Sequence, residues 1–295
     1  AGVNVGTGKS NEVFQAIRQT DALVHVVRCF DNDEIFLEPA DAKRDAEAFD
    51  LELILADIEI VERRLERAKK NAKSGDKKYK HECEMCEALI AHLTDEKPAR
   101  SFEFTDEDSD ILVDGGLLTV KPVIYAANLD EDGMMNLDTN ANFAALKKIA
   151  DEQGAAVLPV AAKFEEDIAG MEPDEAEMFM ADLGLTETGL DRLIKTSYDL
   201  LGYISFLTAG EDDVHAWTIT RGTKAPKAAG KVHSDIERGF IRAEIVAFDD
   251  LKACGSMAAA KEKGLEPLAA LLFAQERDCP RPEEAAQDFI DPDKG

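Results

Sequence analysis

An amide and a carboxylate three residues apart, Asn128 and Glu131, follow the apolar run Pro122-Val-Ile-Tyr-Ala-Ala127. Together they offer donor, acceptor and anion, the set needed to read one edge of a purine. Asn and Asp are also ordinary turn residues, so the same pattern fits a plain loop. A second apolar run ends in Ala161-Ala162-Lys163. If its strand neighbours the first, the two ends lie side by side, and the Lys163 stem either stacks on a base or is solvated. Gly6-Thr-Gly-Lys-Ser10 has the last residues of a phosphate loop, but Val3 stands where that motif needs its first glycine. The motif also needs a preceding strand, so the reading is a glycine-rich lead-in with a solvated Lys9. Cys83 and Cys86 form a C-x-x-C with His81 and His92 nearby. Both cysteines fall in a helical seam and no second pair follows, so core packing is read there and no metal site.

These residues need a scaffold. Pro122 to Ala127 has no polar alternation, as in a parallel strand covered on both faces, and ligands sit at the carboxyl ends of such strands. Ala22 to Phe30 reads as a second buried parallel strand, with His25 and Cys29 as core or edge positions, after a short helix over Asn11 to Thr20. Leu51, Leu55, Ile58, Val61, Leu65, Ala68 and Ala72 recur at spacings of three and four, a helical stripe. Ser74-Gly75-Asp76 breaks it, and Tyr79, Cys83, Cys86, Ile90 and Leu93 repeat the spacing on a returning helix, giving an antiparallel hairpin that stands off the sheet. A helix over Asn140 to Gln153 and a strand over Ala155 to Ala162 imply a right-handed parallel crossover. Residues 174–201 form one amphipathic stretch. From Tyr203 the pattern turns to short strands: Ile204 to Leu207, His215 to Thr220 and Gly239 to Phe248.

The whole chain has 295 residues, room for two domains, and a net charge of -27, which argues against a general binder of nucleic acid or membrane surfaces. Such acidity also serves as a salt-tolerant surface. Five scattered cysteines fit a reducing compartment. No apolar run approaches ~18 residues, so the expectation is a soluble, cytoplasmic protein without membrane contact. The chain begins at Ala1, as a fragment would. One region departs from the acidity. From Trp217 to Arg242, six cations (Arg221, Lys224, Lys227, Lys231, Arg238, Arg242) face two acids, a local +4 that reads as an RNA-facing surface or as a solvated charge run.

Asn128-Leu-Asp-Glu131, Val24-His-Val-Val-Arg-Cys-Phe30, the hairpin from Leu53-Ile-Leu-Ala-Asp57 to Gly75-Asp76, and Thr208-Ala-Gly210 with Trp217-Thr-Ile219 resemble the YchF or Obg-like ATPase family. So does Ala228-Ala-Gly-Lys-Val-His-Ser-Asp-Ile-Glu-Arg-Gly-Phe-Ile-Arg-Ala-Glu244. The resemblance implies an α/β fold: a partial P-loop NTPase parallel sheet of the Obg type with an inserted helical hairpin, then a β-grasp TGS domain. It implies ATP as ligand, with Asn128 and Glu131 as the family's Asn-x-x-Glu and Leu129 giving backbone contacts to adenine. It also implies magnesium as cofactor and the ribosome, its large subunit or the whole particle, as partner, with tRNA or rRNA met through the TGS domain, in translation or stress responses.

Departures accompany the likeness. Ala1-Gly2 resembles the tail of the family's Asp-x-Ala-Gly switch, which places the phosphate loop, the first switch and the magnesium ligands upstream. Leu37 falls where the family's proposed catalytic histidine belongs. The segment from Lys261 resembles Tex-type transcription accessory proteins. The expected organisation is a partial nucleotide-binding domain over 1–202 with its hairpin at about 45–100, an incomplete TGS domain over 203–260, and a helical tail over 261–295. The expected function is a ribosome-associated, ATP-preferring binder that hydrolyses ATP poorly or not at all. The alternatives are a non-catalytic ribosome or RNA interaction module, and a mosaic without a selected function.

Overall fold

A computed structural model describes residues 8–32, 37–73, 75–108, 116–209, 213–256 and 259, with residues 8–11 given by backbone alone. The chain divides into two compact units, Ala1–Leu201 and Gly202–Gly295.

In the first unit α1 (Gly8–Arg18) leads into β1 (Leu23–Arg28). The hairpin α2 (Ala42–Ala72) and α3 (Lys77–Thr94) follows, then β2 (Val123–Asn128). A short α4 (Glu131–Met135) precedes α5 (Ala141–Gln153), β3 (Ala156–Val160) and α6 (Ala162–Ile168). The sheet is parallel in the order β1-β2-β3, with Arg28 opposite Asn128 and Asn128 opposite Val160. The first five residues of β2 are buried, as its unbroken apolar sequence requires of a central strand covered on both faces. The strand Ala22 to Phe30, expected buried, is parallel but half open: Val24 and Val26 are 43% and 63% exposed. Among the described residues β1 pairs on one side only, and the row holding Val24 and Val26 is more exposed than the row holding His25 and Val27.

The helix ends are set locally. Asp76 accepts from the Lys78 amide at the start of α3, Asp130 from Gly133 at the start of α4, and Asn140 from Phe143 at the start of α5, each such cap worth about 1 kcal/mol. Gly154 closes α5 at φ +62, a left-handed conformation that glycine adopts without strain. The buried seam of α2 differs at its start from the expected stripe. Leu51 and Leu55 are exposed, while Leu53, Ile54 and Asp57 are buried with Val61 and Ala68. On α3 the seam is Met85, Cys86, Leu89 and Leu93, with Tyr79, Cys83 and Ile90 half-buried. Burial pushes the Cys86 thiol up to about 11. His25 stacks between Phe49 and Tyr125, at ring distances of 4.9 and 5.4 Å, and burial lowers its pKa.

Two groups of hydrogen bonds, one part-buried and one buried, fix α2 to β2 and to the segment that leads into it. Tyr125 Oη donates to Asp50 at 2.6 Å, and Gln153 Nε2 donates to the same carboxylate at 3.1 Å. Two helical turns further along, Asp57 accepts from the amides of Leu118 and Thr119. Residues 174–201, expected as one stretch, are two helices, α7 (Pro173–Asp182) and α8 (Gly189–Leu200), separated at Gly184, whose φ is +69.

The second unit opens with an antiparallel pair, β4 (Tyr203–Ala209) and β5 (Val214–Thr220), with Phe206 opposite Trp217. The indole Nε1 of Trp217 donates to Thr208 Oγ1 at 2.9 Å. Three helices follow: α9 (Ala225–Val232), α10 (Ser234–Arg238) and α11 (Phe248–Cys254). The strand expected over Gly239 to Phe248 is not formed. Residues 240–247 carry no regular structure, and Ile241 is 92% exposed. A strand needs a partner for its backbone donors and acceptors, and among the described residues none lies alongside. The tail expected over 261–295 lies outside the described residues.

Candidate functional site

The carboxyl ends of β1, β2 and β3 converge because the strands are parallel and in register. The Cys29 amide donates to Asn128 O and the Leu129 amide to Val160 O, both at 2.8 Å, so the ladder runs past the last strand residues into the loops. There the Ala162 amide donates to Asn128 Oδ1 at 3.2 Å. One side chain thus joins the loop 128–131 to the loop 161–163. The neighbouring turn is held by Asn140, whose Nδ2 donates to Cys29 O at 3.4 Å while its Oδ1 caps α5.

Asn128 is half-buried, Leu129 is 2% exposed and Ala161 is 2% exposed, whereas Glu131, Ala162 and Lys163 are exposed. With Oδ1 committed to Ala162, the Asn128 amide nitrogen has no hydrogen-bond partner among the described residues. It is the donor the site still has to give. The Leu129 amide is spent in the ladder, so only its carbonyl can serve a ligand. Glu131 starts α4, directly after the Asp130 cap. Lys163 does not reach across the site. Its ammonium sits 2.8 Å from Asp167 and 3.1 Å from Glu166 on its own helix, and the hydrogen bonds to Asp167 and then Glu166 raise its pKa. That is the solvated, locally paired state.

Arg28, at the end of β1, was not singled out by its sequence context. It lies opposite Asn128 and donates from its guanidinium to the carbonyls of Glu38 and Pro39, at 3.1 and 3.3 Å. It holds the returning loop against this end of the sheet. Among the described residues no group of three or more His, Cys, Asp or Glu is placed to hold a metal ion. Lys9 and Ser10 lie in the backbone of α1, without described side chains.

On the second unit Arg221, Lys224, Lys227, Lys231, Arg238 and Arg242 are all exposed. Three of them are neutralised nearby: Lys227 pairs with Glu237, Arg238 with Asp235 at 3.3 Å, and Arg242 with Glu244 at 3.4 Å. Lys224 and Lys231 have no acidic partner among the described residues. The uncompensated charge is therefore smaller than the residue count.

Comparison with known proteins agrees over nearly the whole chain. The family model YchF-GTPase_C, described as a protein of unknown function (DUF933), matches residues 203–269. A Bacillus subtilis protein named ribosome-binding ATPase YchF is 47% identical over 268 residues, which cover 89% of this chain and 72% of that protein. Obg-like ATPase 1 of Oryza sativa subsp. indica is 38% identical over 266 residues, 89% of this chain and 67% of the relative. A solved structure titled as the Schizosaccharomyces pombe YchF GTPase superposes with a TM-score of 0.77 at 32% identity, covering 90% of this chain and 72% of the other.

Proposed function

This chain belongs to the YchF and Obg-like ATPase family, and on that premise we propose that it binds an adenine nucleotide at the ends of β2 and β3 and works in the cytoplasm in association with ribosomes. The observation that supports the base site is the hydrogen bond from the Ala162 amide to Asn128 Oδ1, which turns two strand-end loops into one surface. It sits at the place where ligands of open parallel sheets bind.

The chemistry then divides between the residues. Asn128 Nδ2 is free to donate to the ring N7 that adenine and guanine share, so it anchors a purine without choosing between them. The choice falls to the group at position six. Adenine offers an amino donor there, which the Glu131 carboxylate or the Leu129 carbonyl accepts, whereas the guanine oxygen meets two acceptors. Ala161, Ala162 and Lys163 line the other side, with the lysine stem rather than its paired ammonium against the base. The printed names of the relatives divide between ATPase and GTPase, so the base is the point to test. Titration with ATP and GTP, on wild type and Asn128→Ala, decides it. ATP should bind more tightly and Asn128→Ala should weaken both; tighter GTP binding would refute the assignment.

Hydrolysis is a separate matter. Phosphoryl transfer rests on a backbone cradle, a lysine, a magnesium site and a positioned water. Val3 stands five positions before Gly8-Lys9-Ser10, where such a cradle has its first glycine, and we propose turnover at background. Base contacts cannot compensate, because they stabilise ground and transition states alike. A magnesium-dependent rate that Lys9→Ala abolishes would overturn this.

The second unit is proposed as the TGS module of the family, with Arg221, Lys224 and Lys231 as its RNA-facing cations. A non-catalytic ribosome or RNA interaction module is the second reading, and the exposed cations favour it. Co-sedimentation with ribosomes in the absence of nucleotide would support that reading over the first.

A further inference from the structure

Glu131 is the acceptor on which the choice of base turns, and no neighbour holds its carboxylate. The side chain is exposed, with no hydrogen-bond or ion-pair partner among the described residues. Its place beside a base is therefore set by the backbone that carries it, as the first residue of α4. The rest of the site is fixed independently of α4: the Leu129 amide donates to Val160 O in the ladder, and Asn128 is tied to Ala162. Whatever seats α4 against these loops aims Glu131.

The contacts that seat it meet at Gly133. Asp130 Oδ1 accepts from the Gly133 amide at 2.8 Å, and the Asp130 carbonyl accepts from the Met134 amide at 2.9 Å. On the other side stands Asn140, whose Nδ2 donates to Cys29 O and whose own amide donates back to Asn136 O at 3.1 Å. Gly133 is buried between them. A methyl group in place of its hydrogen would lie 2.8 Å from Asp130 Oδ1, 3.1 Å from Leu129 Cδ2 and 3.2 Å from Asn140 Nδ2, all inside the 3.4 Å at which ordinary contact begins. None of the three can simply withdraw. The Asp130 oxygen is the helix cap, the Leu129 side chain is 2% exposed, and the Asn140 amide group is bonded to the residue that follows β1.

Local preference does not explain a glycine here. In a helix, alanine is the better residue, and the φ of Gly133 is not positive, so the backbone asks for no special conformation. What the position requires is the missing side chain, which lets α4 approach Leu129 and Asn140 this closely.

We infer that Gly133 and Asp130 are positioning residues for base selection: they seat α4 so that the Glu131 carboxylate meets the amino group of adenine and opposes the oxygen of guanine. This rests on the adenine-nucleotide reading above and names the residues that set its selectivity. A methyl group at 133 has to open the cap or push α4 away from Leu129. Either movement misaligns Glu131, and hydrogen bonds weaken steeply with misalignment. The gain for adenine and the penalty for guanine then shrink together.

The test is titration of the full chain with ATP and with GTP, expressed as the ratio of the two dissociation constants. A misfolded fraction lowers the stoichiometry for both nucleotides and leaves that ratio unchanged, so the ratio follows positioning and not stability. Wild type should favour ATP by about fivefold or more, the lower end of what well-placed hydrogen bonds to a base edge give. Gly133→Ala should bring the ratio at least threefold closer to one, and Asp130→Ala should do the same by removing the cap. Asp130→Asn keeps an oxygen for the Gly133 amide and should hold the ratio within twofold of wild type. Because Gly133 acts through Glu131, the two effects should not add: in a Glu131→Ala background, Gly133→Ala should leave the ratio unchanged. Ratios equal to wild type in both Gly133→Ala and Asp130→Ala, in a chain that prefers ATP, would overturn the inference and leave the base site standing. So would a Gly133→Ala effect of the same size with and without Glu131. A wild type that binds GTP as tightly as ATP, or more tightly, would sink the adenine reading and the inference with it.

Discussion

Asp57 gives the sharpest test of how the hairpin is held. It sits at 0% exposure in the seam of α2. Its Oδ1 accepts from the Leu118 amide at 2.7 Å, and its Oδ2 from the Thr119 amide at 2.8 Å and the Thr119 hydroxyl at 2.7 Å. Thr119 Oγ1 accepts in turn from the Ala99 amide at 2.9 Å, so one carboxylate organises three segments. Asp57→Ala strands two buried amides, while the hydroxyl can reorient. At about 1–3 kcal/mol for each stranded donor, the loss is about 2–6 kcal/mol. The first unit spans Ala1–Leu201, and for that size each kcal/mol moves Tm by about 2–4 °C, giving a fall of roughly 12 °C at the centre of the range. Differential scanning calorimetry measures it. Asp57→Asn keeps an oxygen for Leu118 but turns an amide group toward Thr119, so it should lose about 1–3 kcal/mol.

The pH dependence supplies an independent check. Burial raises the Asp57 pKa, outweighing the donors from Leu118 and Thr119 and the charge of Arg18 that pull it down. A carboxyl whose folded pKa lies above its unfolded value binds its proton more tightly in the fold, so its contribution to stability is largest at low pH and declines as pH rises from the unfolded value through the raised one. The difference in stability between wild type and Asp57→Asn should therefore vary over that window and be flat above it. A Tm for Asp57→Ala within about 2 °C of wild type would refute the argument, because it corresponds to no more than about 1 kcal/mol.

Other consequences follow from the same structure. Val24 and Val26 present apolar surface on an edge strand, so the chain should self-associate at micromolar concentration and Val26→Lys should reduce this; a monomer by light scattering in wild type would contradict it. Burial pushes the thiols of Cys29 and Cys86 up to about 11, so at pH 8 iodoacetamide should label Cys83 well before either, and early labelling of Cys86 by mass spectrometry would mean that the hairpin seam opens. Tyr125→Phe keeps the packing but removes the donor to Asp50, and should cost about 1–2 kcal/mol in urea denaturation; an unchanged midpoint would show that Gln153 satisfies that carboxylate alone.

What was legible in the sequence was what is local. Pro122 to Ala127 reads as a covered parallel strand because nothing polar interrupts it, and β2 is that strand. Gly75 and Gly154 mark where helices end because the chain needs φ above zero there. The α2 seam was harder. Leu51, Leu53, Ile54 and Leu55 crowd into five residues, so two registers compete, and the buried Asp57 decides for the one in which Leu53 and Ile54 face inward. With the structure in hand, its position three residues after Ile54 and four before Val61 is the signal that the stripe drawn through Leu51 and Leu55 passed over, since an acid in an apolar stripe needs buried donors. The strand expected over 239–248 failed because strand propensity describes a half-buried surface rather than a backbone preference. At the site, the spacing of Asn128 and Glu131 was visible, but the bond from Ala162 to Asn128 depends on β2 and β3 being neighbours.

The hairpin and the base loop share one support. Helix α2 is tied to the sheet at Asp50, through Tyr125 of β2 and Gln153 of α5, and again at Asp57, through the segment that enters β2. Strand β2 then runs directly into Asn128. A hairpin on a single flexible joint would swing independently of the base site, whereas one held by half-buried Asp50 and buried Asp57 on the same helix cannot tilt without breaking those bonds, and each donor stranded at Asp57 costs about 1–3 kcal/mol. The fold therefore fixes the hairpin against the strand that ends at the base loop. Rigidity of this kind transmits position rather than a change of state, because coupling between sites requires two arrangements with different affinities. The prediction is that Asp50→Ala, which loosens the anchor nearer the site, lowers stability while leaving the affinity for ATP as in wild type. A change in ATP affinity greater than about fivefold, some 1 kcal/mol of coupling, would show that the anchor itself has a second arrangement.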